Sequence, residues 1–432
     1  MTRRELLASL SLLAARAGPK LGINGARLRE QIESLSVHGR PRGGGFPDGV
    51  SRIGYSDADI AGRKYLLGLV QAAGLKARID AAGNIFVRKA GMENALAPVL
   101  FGSHIDSVPN GGNFDGDLGS LAAIEVLRLL GENGIVTRRP LEAVVWSCEE
   151  ASFDGNALNG SRAAAGKLRA SEMDGVSRGL TLRESMRRIG GNPDRLEQTQ
   201  LRAGAFHAYL ELHIEQGGTL DKAGTSIGIV EGIVALDHYD VEITGAANHA
   251  GTTPMADRQD ALVAAAQLTL AVRQLVTQEP GAQVGTVGHL EVEPNAPNVV
   301  PGKVRLSIDL RDLSTEKLRR LGEAVRARAM AIGSQTKTQI ALTQTQHAEP
   351  ALASPEVQAV IHGAAEHLQL STRSLPSGAV HDAQVMAAVG PMGMIFVPSV
   401  GGISHSPKEL TSWEDCERGA NVLLQSVLAM AG

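Results

Sequence analysis

The sequence predicts an α/β protein with a central mixed sheet and a second, inserted domain of the ferredoxin-like α+β type. Short apolar strands alternate with amphipathic helices in the first half of the chain and again near its end, which is typical of a sheet with helices on both faces. Between residues 231 and 347 the order becomes β-α-β-β-α-β, the ferredoxin-like order. The 432 residues are also too many for one ordinary domain.

The elements of the larger domain follow from apolar spacing and capping residues. Leu28, Ile32 and Leu35 recur at spacings of three and four, which predicts a helix over 23–39. Ser56 is placed to cap a second helix that ends at Gly74. Buried strands are predicted at 98–102, 141–146, 208–213 and 393–397, and an apolar helix at 118–130.

The inserted domain shows strict alternation in its strands. Val304, Leu306, Ile308 and Leu310 alternate with polar residues, as in a half-buried strand. The remaining elements are strands at 239–243, 284–292 and 339–344, a helix at 260–276, and a helix that Ser314 caps and that runs to Met330. A sheet with helices on one face leaves its other face or an edge for association with another chain.

Composition excludes several classes of protein. Lys and Arg number 42 and Asp and Glu 46, so the net charge of -4 gives no basic face for nucleic acid. No apolar run approaches the roughly 20 residues of a membrane helix. The cysteines, Cys148 and Cys416, are too few for a disulfide framework or an all-thiolate zinc site. We therefore expect no nucleic-acid or membrane partner.

The first twenty residues have the pattern of a twin-arginine export signal. Arg3 and Arg4 precede a short apolar run, and Ala15-Arg16-Ala17 forms an A-x-A cleavage site. This pattern predicts a periplasmic protein with a signal over residues 1–20. The alternative is an amphipathic first helix of the folded domain, which leaves the protein in the cytoplasm.

Histidines and acidic residues gather at the predicted strand ends. They are His104 with Asp106, Asp115 in a glycine-rich loop, Glu149 with Glu150, His213, and His405. Each one alone is also explained as a solvated or turn-capping side chain. Because the ligand crevice of an open α/β sheet lies at the carboxyl ends of its strands, together they predict one site. Imidazole and carboxylate ligands suit Zn²⁺ or Mn²⁺, and two such ions sharing a carboxylate are a known hydrolytic device.

These motifs resemble those of the M20-type dinuclear metallohydrolases, and within them the hydantoinase/carbamoylase amidases. That group includes N-carbamoyl-L-amino-acid hydrolases, allantoate amidohydrolases and β-ureidopropionases. The resemblance spans about residues 23–430. It implies a metallopeptidase-like catalytic domain over 21–230 and 348–432, and a lid and dimerisation domain over 231–347.

The resemblance also implies a role for each residue of the cluster. His104 and His213 hold one metal, Glu150 and His405 hold the other, and Asp115 bridges them. Glu149 matches the catalytic base, and Asp106 matches the acid that orients His104. Cys148 precedes the base, but its position favours a small buried strand residue over a nucleophile.

Substrate-binding residues are implied in the same way. His249, in Asn248–Met255, matches a lid histidine that reaches the active site of the partner subunit in a homodimer. Asn298 and Arg311 match residues that hold a substrate carboxylate, and Gln216 matches a residue that contacts substrate. In the loop 377–383, Val380 stands where the family usually has a Gly whose N–H binds substrate, and His381 follows it. Arg311 as a solvated side chain and His381 as a structural histidine remain alternatives.

The expected activity is that of a metal-dependent amidohydrolase. It cleaves the C–N bond of a carbamoyl or ureido group on a small carboxylate-bearing substrate. The resemblance implies two divalent ions per subunit, Zn²⁺ or Mn²⁺, with Co²⁺ or Ni²⁺ as alternatives. A second hypothesis is an M20 aminoacylase or dipeptidase that acts on an N-acyl amino acid or peptide. A third is a non-catalytic ligand-binding protein, which would lack Glu149 or a metal ligand, and neither is missing.

Overall fold

The computed structural model describes residues 21–150 and 156–432, so the predicted export signal lies outside the described residues. The chain divides into two compact units. One comprises the residues up to Glu231 together with Ala353–Gly432, and the other is Gly232–Leu352.

Helices and strands alternate along the whole described chain. The helices are α1 Gly25–Leu35, α2 Asp57–Ala72, α3 Asp117–Glu132, α4 Asn159–Ala164, α5 Leu182–Arg188, α6 Thr219–Ala223, α7 Ala261–Gln278, α8 Thr315–Thr336, α9 Pro355–His367, α10 Asp382–Met386 and α11 Trp413–Ala431. Short 3₁₀ turns lie at Phe46–Asp48, Ala170–Glu172, Pro193–Thr199, Met255–Asp257 and Val400–Gly402. The strands are β1 Ala77–Ile79, β2 Ile85–Lys89, β3 Val99–His104, β4 Leu141–Trp146, β5 Val176–Ser177, β6 Leu180–Thr181, β7 Ala208–Ile214, β8 Ile227–Ile233, β9 Ala235–Thr244, β10 Asn248–His249, β11 Val284–Glu293, β12 Val299–Val300, β13 Lys303–Asp312, β14 Gln339–Ala348, β15 Ala351–Leu352, β16 Thr372–Ser377 and β17 Met392–Val397.

A large mixed sheet forms the centre of the first unit. Within that unit its strand order is β1-β2-β4-β3-β7-β17-β8, with β16 paired to β8. The four strands β4, β3, β7 and β17 are neighbours and run parallel, whereas the outer pairs are antiparallel. The predicted mixed α/β fold is confirmed, and the parallel centre brings four carboxyl ends to one edge.

The main core lies between this sheet and the helices α1, α3, α9 and α11. Alternate side chains of the strands point into it, for example Val99 and Phe101 in β3. The opposite phase of β7 carries Tyr209, Glu211 and His213, which are buried polar or aromatic residues on the other face of the sheet. Alternate residues of one strand therefore face opposite sides of the sheet, with core residues on one side and candidate site residues on the other.

The helix predicted over 23–39 is shorter in the structure and spans Gly25–Leu35. The side chain of Asn24 caps its start by accepting the backbone N–H of Arg27. At its end the guanidinium of Arg40 donates to the backbone oxygen of Glu33 at 2.8 Å, so the following residues turn back on the helix. By contrast, Ser56 caps α2 as predicted, with its hydroxyl accepting the N–H of Asp59.

The second unit has the ferredoxin-like arrangement. Its four antiparallel strands are ordered β11-β13-β9-β14, and α7 and α8 pack against them through a core of their own. Asp260 and Ser314 cap the two helices. A small two-stranded ribbon pairs β10 with β12. Within the described part of the chain, helices long and apolar enough to cross a membrane are absent.

Candidate metal centre

The predicted ligands follow the carboxyl ends of the four parallel strands. His104 is the last residue of β3, and His213 lies near the end of β7. Glu149 and Glu150 come just after β4, and His405 comes in the loop after β17. These strands are neighbours in the sheet, so residues separated by up to 301 positions in sequence meet at one edge. The first four side chains are buried, and that of His405 is 51% exposed.

The backbone turns sharply at three places around the site. Cys148, Gln216 and His405 have φ values of 52°, 59° and 54°, in the left-handed region that favours glycine. Each of these residues carries a site side chain or precedes one. Such strained conformations persist only where the surrounding structure holds them in place, and they are common at functional sites.

Hydrogen bonds to the backbone fix the tautomers of the two buried histidines. Nδ1 of His104 lies 3.0 Å from the backbone oxygen of Asp106, and Nδ1 of His213 lies 2.9 Å from that of Ile214. A carbonyl oxygen can only accept, so each Nδ1 carries the proton and each Nε2 presents a lone pair. Both lone pairs face a carboxylate oxygen, Oδ1 of Asp115, at 3.5 and 3.1 Å. Within the described residues these three acceptors face one another with no donor between them, an arrangement that fits a cation.

The two carboxylate oxygens of Asp115 face different histidines. Its Oδ1 faces His104 and His213, while its Oδ2 lies 3.5 Å from Nε2 of His405. Oε1 of Glu150 lies 3.7 Å from the same His405 atom. Two groups of three possible ligands therefore share Asp115, one with His104 and His213 and the other with Glu150 and His405.

The electrostatics of the site also fit cations. Burial, and then the neighbouring Asp115 carboxylate, raise the pKa of Glu150 to about 9. Burial raises the pKa of Glu149 well above its usual range. Buried carboxylates in this number are stable in the ionised form only beside positive charge.

Glu149 lies next to both ligand groups without belonging to either. Its Oε2 is 3.9 Å from Nε2 of His104. The carboxylate of Asp106 accepts the backbone N–H groups of Glu149 and Glu150 at 3.0 and 3.2 Å, and its Oδ1 is 3.8 Å from Nδ1 of His104. The side chain of Asp106 thus holds the turn that carries the two glutamates, while its backbone oxygen holds His104.

Gln216 lies directly at the site. Its Nε2 donates to Oδ2 of Asp115 at 2.7 Å and lies 3.3 Å from Nε2 of His405. Its backbone N–H donates to Oγ of Ser399 at 3.0 Å, which holds the left-handed turn in place. The amide therefore contacts a ligand of each group.

His381 lies behind His213, and the centroids of the two imidazole rings are 4.5 Å apart. Its Nε2 is 3.0 Å from Oγ of Ser377, and burial followed by the nearby His213 lowers its pKa well below the usual range. Val380, the residue before it, is 46% exposed. The loop therefore has a neutral histidine inside and an apolar side chain outside.

His249, in the second unit, is exposed and has a defined tautomer. Its Nδ1 accepts the backbone N–H groups of Gly251 and Thr252 at 3.0 and 3.2 Å. The proton of the neutral ring therefore sits on Nε2, which makes that atom a donor. The pairing of β10 with β12 brings Asn298 close to it, and the backbone oxygen of Asn298 accepts the N–H of Ala250 at 2.9 Å.

Arg311 lies on β13 of the same unit. Its Nε donates to Oδ1 of Asp309 at 2.9 Å, and a second guanidinium nitrogen donates to Oδ2 at 3.2 Å. The two residues are two positions apart on the strand and therefore share a face of the sheet. This pairing orients the guanidinium plane.

Two buried glutamates at the site were not predicted from the sequence. Glu211 accepts hydrogen bonds from Ser103, Tyr209 and the backbone of Ala383, and it joins His213 and His381 in a third group of possible ligands. The alternation Glu211-x-His213 in a strand was a usable signal, because it places both side chains on one face. Glu409 accepts the backbone N–H groups of Phe114 and Asp115, and the sequence offers no comparable signal for it.

Comparisons with known proteins agree with this geometry. The family model described as peptidase family M20/M25/M40 matches residues 100–429. An N-carbamoyl-L-amino acid amidohydrolase of Geobacillus stearothermophilus is 39% identical over 95% of this chain and 99% of its own length. The allantoate amidohydrolase of Escherichia coli is 33% identical over 94% of this chain and 97% of its own. The crystal structure of a hydantoinase/carbamoylase family amidase from Burkholderia multivorans is similar with a TM-score of 0.90, at 35% identity, over 96% of this chain and 99% of that one.

Proposed function

The chain belongs to peptidase family M20/M25/M40, and we propose that it is a metal-dependent amidohydrolase that cleaves the C–N bond of a carbamoyl or ureido group on a small carboxylate-bearing substrate. The observation that carries this proposal is the Asp115 carboxylate, which faces two imidazole lone pairs on one side and the His405–Glu150 pair on the other. The similarity to an N-carbamoyl-L-amino acid amidohydrolase and an allantoate amidohydrolase over nearly the full length supports the bond type.

The two ligand groups define where divalent ions would bind. His104 and His213 would hold one ion, Glu150 and His405 the other, and Asp115 both. The donors are nitrogen and oxygen only, which favours Zn²⁺ or Mn²⁺, with Co²⁺ or Ni²⁺ as alternatives. When bound, such a pair of ions polarises a carbonyl group and acidifies a water molecule.

Glu149 is the residue to which we assign proton transfer. It lies outside both ligand groups, is 5% exposed, and has its carboxylate beside His104. As a general base its Oε2 takes a proton from the water that adds to the substrate carbonyl carbon, and then delivers that proton to the leaving nitrogen as the C–N bond breaks. Asp106 fixes the backbone from which Glu149 projects.

The second unit supplies groups for binding the substrate. His249 offers an Nε2–H donor, which is suited to an oxygen that gains negative charge during the reaction. We assign Arg311, whose Nε donates to Oδ1 of Asp309, to the substrate carboxylate, since a guanidinium is the side chain best suited to bind one. We assign Asn298 to the same carboxylate. Gln216 and Val380 belong to the first unit and border the substrate there, whereas His381 is buried behind His213 and supports the loop from inside.

We further propose a homodimer in which His249 serves the site of the other subunit. Strand β11 is an edge of the ferredoxin-like sheet and carries exposed Val284 and Leu290. Helix α7 exposes Leu262, Val263 and Leu270, the last of them 67% exposed. An unpaired strand edge beside apolar side chains is a liability in a monomer, and a two-fold interface removes it.

A screen for ammonia release tests the proposed reaction. Purified, metal-loaded protein is incubated with N-carbamoyl-L-amino acids, allantoate and ureidoglycolate, and in parallel with N-acetyl amino acids and dipeptides. The Glu149→Gln variant, purified in the same way, controls for contaminating hydrolases. We expect turnover of at least one carbamoyl or ureido compound by the wild type alone. Hydrolysis confined to N-acyl amino acids or dipeptides would refute the proposal in favour of an aminoacylase or dipeptidase.

A further inference from the structure

Glu409 connects the loops that carry two of the metal ligands. It follows His405 by four residues and is 4% exposed. Its Oε1 accepts the backbone N–H groups of Phe114 and Asp115 at 3.0 and 3.1 Å. Its Oε2 accepts the hydroxyl of Ser404 at 2.8 Å. One carboxylate therefore holds the backbone of the bridging ligand on one side and the residue before His405 on the other.

The Ser404 hydroxyl completes this connection. Its Oγ lies 3.2 Å from Oδ2 of Asp115 as well as 2.8 Å from Oε2 of Glu409. A hydroxyl has a single proton, and the shorter distance favours its donation to Glu409. Without Glu409 the same proton would turn to Asp115 and compete for an oxygen that faces His405.

A glycine in the other loop makes the contact possible. A Cβ added to Gly112 would overlap Oε1 and Cδ of the Glu409 carboxylate. No side chain fits in that position, so only glycine lets the carboxylate reach the two backbone N–H groups. The contact therefore needs a glutamate in one loop and a glycine in the other, and the two loops are almost 300 residues apart in sequence.

We infer that Glu409 is a positioning residue of the metal centre, which fixes Asp115 relative to His405 through the backbone of Asp115 and through Ser404. This inference rests on the proposed function, since it concerns the two ligand groups that share Asp115. Glu409 itself belongs to none of the groups of possible ligands. Groups that orient ligands in this way commonly change metal affinity or activity about 10–100-fold when they are removed.

Metal affinity is the direct test. Zn²⁺-loaded wild type and variants are titrated with a chromogenic chelator, and the ions per chain are counted by elemental analysis. Glu409→Ala removes all three hydrogen bonds, so we expect an affinity lower by about 10–100-fold. Glu409→Gln keeps an acceptor oxygen for the two N–H groups, but its amide nitrogen cannot accept the Ser404 proton, which is then free to turn to Asp115. We therefore expect an affinity between those of the wild type and Glu409→Ala.

Asp260→Ala is the matched control. Asp260 also accepts two backbone N–H groups, those of Leu262 and Val263, but it caps a helix of the second unit. It reports what the loss of two such bonds does to thermal stability without a ligand nearby, and its zinc affinity should equal that of the wild type. An affinity of folded Glu409→Ala equal to that of the control would overturn the inference.

A second variant keeps the test decisive if Glu409→Ala does not fold. Gly112→Ala leaves Glu409 in place but pushes its carboxylate away from Phe114 and Asp115. We expect the same loss of zinc affinity, and an unchanged affinity in the folded variant would overturn the inference. Wild-type protein that binds fewer than two ions would instead refute the proposed metal centre itself, so the two failures are distinguishable.

Discussion

Replacing Glu149 by Gln should separate proton transfer from metal binding. Gln has the same shape but cannot take a proton, and general acid–base catalysis commonly contributes about 10²–10⁴-fold. Turnover should fall by that factor, which corresponds to about 3–5 kcal/mol in the activation free energy. Because Glu149 belongs to neither ligand group, the variant should keep two ions per chain. The backbone N–H of residue 149, which donates to Asp106, is unaffected by the exchange.

Glu150→Gln is the matched comparison. The two glutamates are adjacent, both are buried, and the exchange removes one negative charge in each case. Only Glu150 lies in a ligand group, 3.7 Å from Nε2 of His405. We therefore expect this variant to lose one of its two ions as well as turnover.

The assay combines steady-state ammonia release at saturating substrate with elemental analysis of the same preparations. A Glu149→Gln variant that keeps most of the wild-type turnover would refute its role as the base. Loss of an ion from Glu149→Gln together with two retained ions in Glu150→Gln would show that the two roles are reversed.

Three further predictions concern metals, subunits and pH. Chelation should give an inactive protein whose activity Mn²⁺ or Zn²⁺ restores. Asp115→Ala should lose both ions, because the Asp115 carboxylate faces both groups of possible ligands. Active wild-type protein with one ion or none would contradict the two-ion site. Mixing His249→Ala with Glu149→Gln under subunit exchange should restore about a quarter of wild-type activity if His249 acts on the other subunit. The reason is that half of the dimers are then mixed, and each mixed dimer has one intact site. No recovery in mixed dimers confirmed by mass would refute the shared site. Burial raises the pKa of Asp59 from 3.8 to about 6. Between these two pH values the carboxyl group is protonated in the folded state and ionised in the unfolded state. The free energy of unfolding should therefore fall by up to about 3 kcal/mol as pH rises through that window. Asp59→Asn should remove this slope in denaturant titrations, and an equal slope in the variant would show that another group causes it.

The candidate ligand cluster could be predicted because all of its members except Asp115 lie at or after the end of an apolar strand. The runs before His104, Glu149 and His213 are short, β-rich and continuous, so their ends are visible in the sequence, and parallel strands bring such ends together. The glycines around Asp115 likewise marked a turn that could aim a side chain inward.

The contacts behind the ligands could not be predicted in this way. Glu409 reaches Asp115 across a separation of 294 residues, and nothing in its local sequence marks it as buried. For Asp106, the resemblance implied that its carboxylate orients His104, but the backbone oxygen of Asp106 is the atom within hydrogen-bond distance of Nδ1, at 3.0 Å, and the carboxylate is 3.8 Å away. Short elements such as β1, whose three residues are exposed, were also missed because they carry no apolar periodicity.

The separate core of the ferredoxin-like unit has a consequence for how the protein melts. Its buried side chains form a cluster that shares no member with the core beneath the large sheet. Two such cores need not unfold in one step, so we expect one melting temperature for each unit. Ions that bind only the unit with the large sheet stabilise that unit by mass action and leave the other unchanged. Calorimetry at increasing Zn²⁺ concentration should therefore show two unfolding transitions. The transition of the unit with the large sheet should move to higher temperature, and that of the ferredoxin-like unit should stay unchanged.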